Sequence, residues 1–109
     1  MRVHLLATPN VQQTREFVMD GFAMITLRFC DLLARLGVDV TLYGSEDTDA
    51  PVAQLVTCIT KAEIASALGS NPYQRCNYAP DNPMFGVFNA RAAAALAGLK
   101  RSGDIIATI

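Results

Sequence analysis

An α/β fold of three layers, with a mainly parallel sheet of about four strands in the order 3-2-1-4, is what this chain predicts. Three observations carry that expectation. The segment Gly21 to Gly37, GFAMITLRFCDLLARLG, has helical periodicity and lies between two short apolar runs, RVHLLAT and VDVTLYG, which makes a strand–helix–strand unit. The later apolar runs are short and β-branched and are separated by two further helical patterns, so the full order reads β, α, β, β, α, α, β. With right-handed central crossovers this order gives a parallel sheet 3-2-1-4 with helices on its faces, as in the first half of a Rossmann-like domain. The 109 residues form one domain, 1–109, with enough apolar content, 51%, to bury a core.

The first strand covers residues 2 to 8 and is apolar apart from Arg2, His4 and Thr8, as expected of a strand buried on both faces. His4 lies inside it and reads as a core histidine hydrogen-bonded to backbone. Residues 9 to 20, PNVQQTREFVMD, form a βα loop longer than the usual span of about two to six residues. Its Asn10, Gln12, Gln13, Thr14, Arg15 and Glu16 are all able to bond hydroxyl groups, and the carboxyl end of a first strand is where α/β proteins place binding groups. A plain surface loop is the competing reading. The loop has none of the glycines of a G-x-G-x-x-G turn, so it does not cradle a dinucleotide pyrophosphate.

In the first helix, Phe22, Ile25, Phe29, Leu32, Leu33 and Leu36 are expected to form the buried stripe, with Arg28, Asp31 and Arg35 on the solvated face. Asp20 is a candidate N-cap, and Gly37 stands where a left-handed cap residue is wanted. Val38 to Tyr43 is the second strand, closed by Gly44. The acidic loop GSEDTDAP at 44–51 lacks the D-x-[DN]-x-[DN]-G spacing of a calcium-binding EF-hand and reads as solvated. Leu55 to Ile59 is the third strand. Thr60 and Glu63 frame a T-x-x-E capping box that starts a short helix ending near Gly69. Residues 70 to 83, with three prolines, read as an irregular connector. A long helix is expected from Met84, with Phe85, Phe88, Ala92, Ala95 and Leu99 at helical spacing and Gly103 at its end. Asp104 to Ile109 is the fourth strand, after which the sequence stops.

Composition narrows the function classes. A formal net charge of −1, with two Lys and seven Arg scattered, gives no electrostatic footprint for nucleic acid or an anionic membrane. Cys30, Cys58 and Cys76 contain no C-x-x-C pair and read as free thiols, Cys30 and Cys58 buried, in keeping with a reducing cytoplasm. One histidine in the whole chain argues against a zinc or di-metal site. The amino terminus, MRVHLLATPN, is too short in apolar character for a secretion signal or a membrane span. There is no G-x-S-x-G, no Walker A motif and no pair of carboxylates at a defensible spacing. The element order is that of the first half of a Rossmann-like domain, and fold alone licenses no function.

The opening strand running into a long polar loop, then the helix end RFCDLLARLG, then VDVTLYGSE, resembles the amino-terminal domain of GT-B glycosyltransferases. In particular MRVHLLATPN, LYGSE and LVTCITKAE look like a group of bacterial and phage glycosyltransferase-like proteins. The resemblance covers nearly the whole chain in organisation, and its motifs are moderately specific. It implies one half of a two-domain enzyme, whose amino-terminal domain holds the acceptor and whose other domain binds most of the nucleotide-sugar donor. By that resemblance Thr8, Pro9 and Asn10, with Thr14, Arg15 and Glu16 further along the loop, belong to the acceptor side, and Tyr43, Gly44 and Ser45 to the mouth of the second strand. The donor domain has no counterpart in these residues. The resemblance therefore implies no cofactor in this chain, a nucleotide sugar only for a full-length enzyme, no nameable catalytic residue, and no glycosyl transfer by the chain alone.

Two other readings stand beside it: a small Rossmann-like protein that binds and modulates a partner protein, and a stand-alone flavodoxin-like nucleotide binder. The fourth strand carries Ile105, Ile106 and Ile109 with no Lys or Pro to discourage pairing. A homodimer through that strand or the neighbouring apolar helix faces is expected.

Overall fold

The computed structural model describes residues 1–9, 21–68 and 82–108. Four strands, β1 (Arg2–Leu6), β2 (Asp39–Ser45), β3 (Gln54–Ile59) and β4 (Ile105–Thr108), form one sheet in the order β3-β2-β1-β4. All three pairings are parallel, with His4 level with Thr41 on one side and Ile106 on the other. Three helices accompany them: α1 (Gly21–Arg35), α2 (Lys61–Leu68) and α3 (Pro83–Leu99). The chain is thus α/β and Rossmann-like, in the strand order that its sequence predicts.

Each face of the sheet has its own core, because successive strand residues point to opposite sides. Leu5, Ala7, Val40 and Leu42 pack with Cys30 of α1, supported by Phe29, Leu33, Leu55 and Ala107. On the other face Tyr43, Cys58 and Ile59 pack with Ile64 of α2 and with Met84, Phe88 and Ala92 of α3. The second core holds the larger side chains. Burying a residue such as Phe88 or Ile64 fully contributes about 1.5–3 kcal/mol, so most of the helix-to-sheet adhesion comes from that side.

The helix ends follow local chemistry. Gly37 has φ +74°, and the amide of Val38 bonds the carbonyl of Leu33 at 3.0 Å while that of Gly37 bonds Ala34 at 3.1 Å. Those two bonds are the Schellman pattern, which closes α1 as the glycine predicts. At α2 the capping box forms in both directions: the Glu63 amide donates to Thr60 Oγ1 at 3.1 Å and the Thr60 amide to Glu63 Oε1 at 3.1 Å. The α3 helix starts one residue before Met84, at Pro83, because Asn82 Oδ1 accepts from the Met84 amide at 3.0 Å and Pro fits the first turn. It ends at Leu99, four residues short of Gly103, whose φ of +87° serves the turn into β4 instead. Asp20, the proposed cap of α1, and the connector at 70–81 lie outside the described residues.

The face of α1 differs from expectation. Ala23, Thr26 and Cys30 are the residues buried on the sheet, while Phe22, Ile25, Leu32 and Leu36 are exposed and Phe29 and Leu33 only partly covered. The inward line is made of small side chains, and Thr26 satisfies its hydroxyl within the helix by donating to the Phe22 carbonyl at 2.8 Å. The solvated side is as expected, with Arg28 exposed and Arg35 bonded to Asp31 at 3.2 Å.

Candidate functional site

In a parallel sheet, groups at the carboxyl ends of the strands converge where the chain turns into its helices. Here that edge is formed by Ala7, Thr8 and Pro9 after β1, by Gly44, Ser45 and Glu46 at the end of β2, and by Thr60 after β3. The Ala7 amide bonds the Tyr43 carbonyl at 3.0 Å, and the Glu46 amide bonds the Ile59 carbonyl at 2.9 Å, so the three exits are tied side by side. The register between β2 and β3 shifts between Gly44 and Ser45, and Asp47 then turns the chain with φ 61°.

A helix N-terminus at this edge would ordinarily attract an anion. At α2 the position is already taken. Glu46 Oε1 accepts from the Lys61 amide at 2.9 Å, the capping box engages the amides of Thr60 and Glu63, and the Lys61 ammonium pairs with Asp47. Glu63 is held further by Arg91 of α3, which donates to its two oxygens at 2.7 and 2.9 Å and to the Cys58 carbonyl at 3.2 Å. That fork, with the Thr60 amide, lowers the Glu63 carboxyl to about 2. The groove of about 460 Å³ between α2 and α3 has Glu63 as its charged lining group, and Glu63 is engaged in this way.

The proposed acceptor-side residues divide into three sets. Thr8 and Pro9 sit at the exit of β1, half-buried and buried. Gly44 and Ser45 are buried at the end of β2, and the Gly44 backbone lies against the Thr48 hydroxyl, which an added Cβ would meet at 3.5 Å. Thr8 and Ser45 therefore stand at the ends of two adjacent strands. Tyr43 is different: its side chain is in the α2/α3-side core, with its hydroxyl on a histidine. Asn10, Thr14, Arg15 and Glu16 lie outside the described residues.

The polar cluster that sequence reasoning missed is inside the sheet. His4 Nδ1 is 2.9 Å from the Tyr43 hydroxyl and Nε2 is 2.9 Å from Asp104 Oδ2, so His4 bonds two side chains rather than backbone. An ionised carboxylate only accepts, so Nε2 carries a proton, and in the neutral ring Nδ1 accepts from Tyr43. Asp104 also accepts from the amides of Arg2 at 3.2 Å and Arg101 at 3.0 Å. The His4 bond and then the Arg101 amide lower its carboxyl to about 2. Carboxylate, imidazole and hydroxyl in a row are the parts of an acid–base relay. Here His4 and Tyr43 are wholly buried and Asp104 lies at the amino-terminal end of β4, away from the strand exits. The cluster clasps β4, β1 and β2 together.

No protein-family model, characterised protein or solved structure matches this chain. The site is accordingly judged on its own chemistry. Burial pushes the Cys30 thiol up to about 11 and raises that of Cys58, and each sits in one of the two cores. Among the described residues no group of His, Cys, Asp and Glu is placed to hold a metal ion. No described helix is long and apolar enough to cross a membrane.

Proposed function

We propose that this chain is the acceptor-side, amino-terminal domain of a GT-B-type glycosyltransferase, acting in the cytoplasm and inactive in glycosyl transfer by itself. The observation that supports the reading is the strand-exit edge, where Thr8 and Pro9 follow β1 and Gly44 and Ser45 end the adjacent β2, at the start of the long polar loop that the resemblance assigns to the acceptor. The stoppered N-terminus of α2 supports the second half of the reading. With Glu46 on the Lys61 amide and Thr60 Oγ1 on the Glu63 amide, two of its first-turn donors are engaged and a carboxylate already stands there, which disfavours a diphosphate. Transfer requires acceptor oxygen, general base and anomeric carbon held in one geometry, and this domain supplies only the acceptor wall. Catalytic residues and the nucleotide-sugar donor belong to a facing domain in that reading.

Two measurements test it. Calorimetry with uridine and guanosine diphosphate sugars should detect at most weak binding. Micromolar affinity would instead favour the stand-alone nucleotide binder. Amide-shift mapping with a panel of mono- and oligosaccharides should move signals around Thr8 and Ser45 and in the 10–16 segment. Shifts confined to other surfaces, or none across the panel, would refute the acceptor assignment. The exposed flank of α1 favours a second reading, a module that binds and modulates another protein.

A further inference from the structure

The outward residues of α1 are not scattered. Phe22, Ile25, Leu32 and Leu36 are 46%, 54%, 51% and 67% exposed, and partly covered Phe29 completes a run at 22, 25, 29, 32 and 36. That is an alternation of three- and four-residue steps, the spacing of a helix–helix seam. At about 100° per residue, the run lies roughly 110° from the buried line of Ala23, Thr26 and Cys30, somewhat more than a quarter-turn. In a right-handed β1–α1–β2 unit, that flank faces the β4 side of the sheet. Phe29 and Leu33 share their core with Ala107 of β4, which agrees. On the same side β4 is the edge strand, bonded only to β1 among the described strands, with Ile105 and Ile106 48% and 46% exposed. The apolar helix flank therefore lies above an open sheet edge on which Ile105 shares the α1 face and Ile106, level with His4, the opposite face.

We propose that this composite surface is an interface with a second copy of the chain, formed about a two-fold axis that passes beside Phe29. The choice of partner rests on self-complementarity. Measured from Phe29, the seam residues fall at −7, −4, +3 and +7. Turning the helix end for end leaves that pattern almost unchanged, as an isologous contact requires. Phe22 then meets the partner's Leu36, Ile25 meets the partner's Leu32, and Phe29 meets the partner's Phe29. The same rotation sets β4 antiparallel to its copy, so helix and strand contacts obey one symmetry operator. Covered completely, the large exposed side chains of this surface would bury at most about 600 Å² per copy, which doubled just touches the lower end of stable interfaces. Arg28 and Arg35 border the seam on its solvent side, and Arg35 keeps Asp31 as its neutralising partner. The rim can therefore stay wet while the apolar strip is covered. This inference does not depend on the glycosyltransferase reading, since it concerns a surface away from the strand exits.

The test is the association state of the 109-residue chain by sedimentation velocity across a concentration series. Wild type should be dimeric. Leu32→Lys and Ile106→Lys should each weaken association at least ~30-fold, and Val87→Lys, on exposed α3, should leave it unchanged. In a Cys76→Ser background, Phe29→Cys should form a covalent dimer on mild oxidation, which reports proximity at the axis without a charge change. A wild-type monomer at high concentration would overturn the proposal, as would a dimer indifferent to Leu32→Lys. Failure of Phe29→Cys to cross-link in a dimeric sample would do the same.

Discussion

Replacing Tyr43 by phenylalanine tests the internal polar cluster with one atom. The ring stays in the core beside Cys58, Ile64 and Phe88, so the packing term is nearly constant. What disappears is the hydroxyl 2.9 Å from His4 Nδ1, in a place with no water access to either residue. An intramolecular hydrogen bond contributes only about 0.5–1.5 kcal/mol net, but stranding a buried acceptor costs about 1–3 kcal/mol. Tyr43→Phe should therefore lose about 2 kcal/mol, a fall of roughly 1–2 M in the urea midpoint for a chain of this size. The same substitution in a His4→Val background should cost much less, because no ring nitrogen remains to be stranded. Urea titrations followed by far-ultraviolet circular dichroism, run on all four variants of the cycle, measure both quantities. A single-variant loss below about 0.5 kcal/mol, or an equal loss in both backgrounds, would refute the reasoning.

On α1, Ala23→Leu should destabilise by about 1–3 kcal/mol through overpacking against the sheet. Arg28→Ala should stay within about 0.5 kcal/mol, and equal losses at the two positions would reverse the assigned face. Thr60→Ala should cost about 1 kcal/mol by opening the capping box of α2, read as a lower thermal midpoint. The acid limb of stability should depend on Asp104 and Glu63, whose carboxyls are both lowered to about 2 by their partners. A carboxyl depressed in the folded state stabilises fully above its unfolded value, near 4, and that contribution is lost as the pH falls towards about 2. Asp104→Asn with Glu63→Gln should thus flatten the stability curve between those limits, and an unchanged slope in acid titrations would discount both groups.

Much of this architecture could be read from residues alone because the signals were local. Gly37 and the Thr60–Glu63 box are short-range devices whose geometry follows from two or three residues, and both form as expected. Strand order followed from chirality and from the buried character of β1. The face of α1 was not legible for a physical reason. Hydrophobic periodicity weights side chains by size, so Phe22, Ile25, Leu32 and Leu36 outvoted Ala23, Thr26 and Cys30. On this helix the sheet is met by the small side chains Ala23, Thr26 and Cys30, whereas α3 meets the other face with Met84 and Phe88, so size does not mark the inward face. His4 was legible as buried but not as clasped. Its partners are 39 and 100 residues away, and only the register of β1 between β2 and β4 brings Tyr43 and Asp104 to the two ring nitrogens. Of the acceptor-side set, the strand-end residues Thr8 and Ser45 could be placed by strand topology, whereas the side chain of Tyr43 is governed by the alternation of its strand.

The clasp and the proposed interface bear on the same strand. β4 has four residues, a single described neighbour and two exposed isoleucines, so apolar burial alone holds it weakly. Asp104, one residue before it, supplies the missing attachment through His4 and the Arg2 amide. An edge strand that must pair with another copy gains from being fixed beforehand, since ordering it during association would subtract from affinity. Protonating Asp104 weakens its acceptor bonds and frees the start of β4, which removes that preorganisation. Acid should therefore loosen the β4 contact as the pH falls from about 4 towards about 2, the same range in which it releases Glu63 of α2 from Arg91 of α3. The internal histidine is thereby a structural tie for the sheet edge, joining β1 to Tyr43 of β2 and to Asp104 at the start of β4.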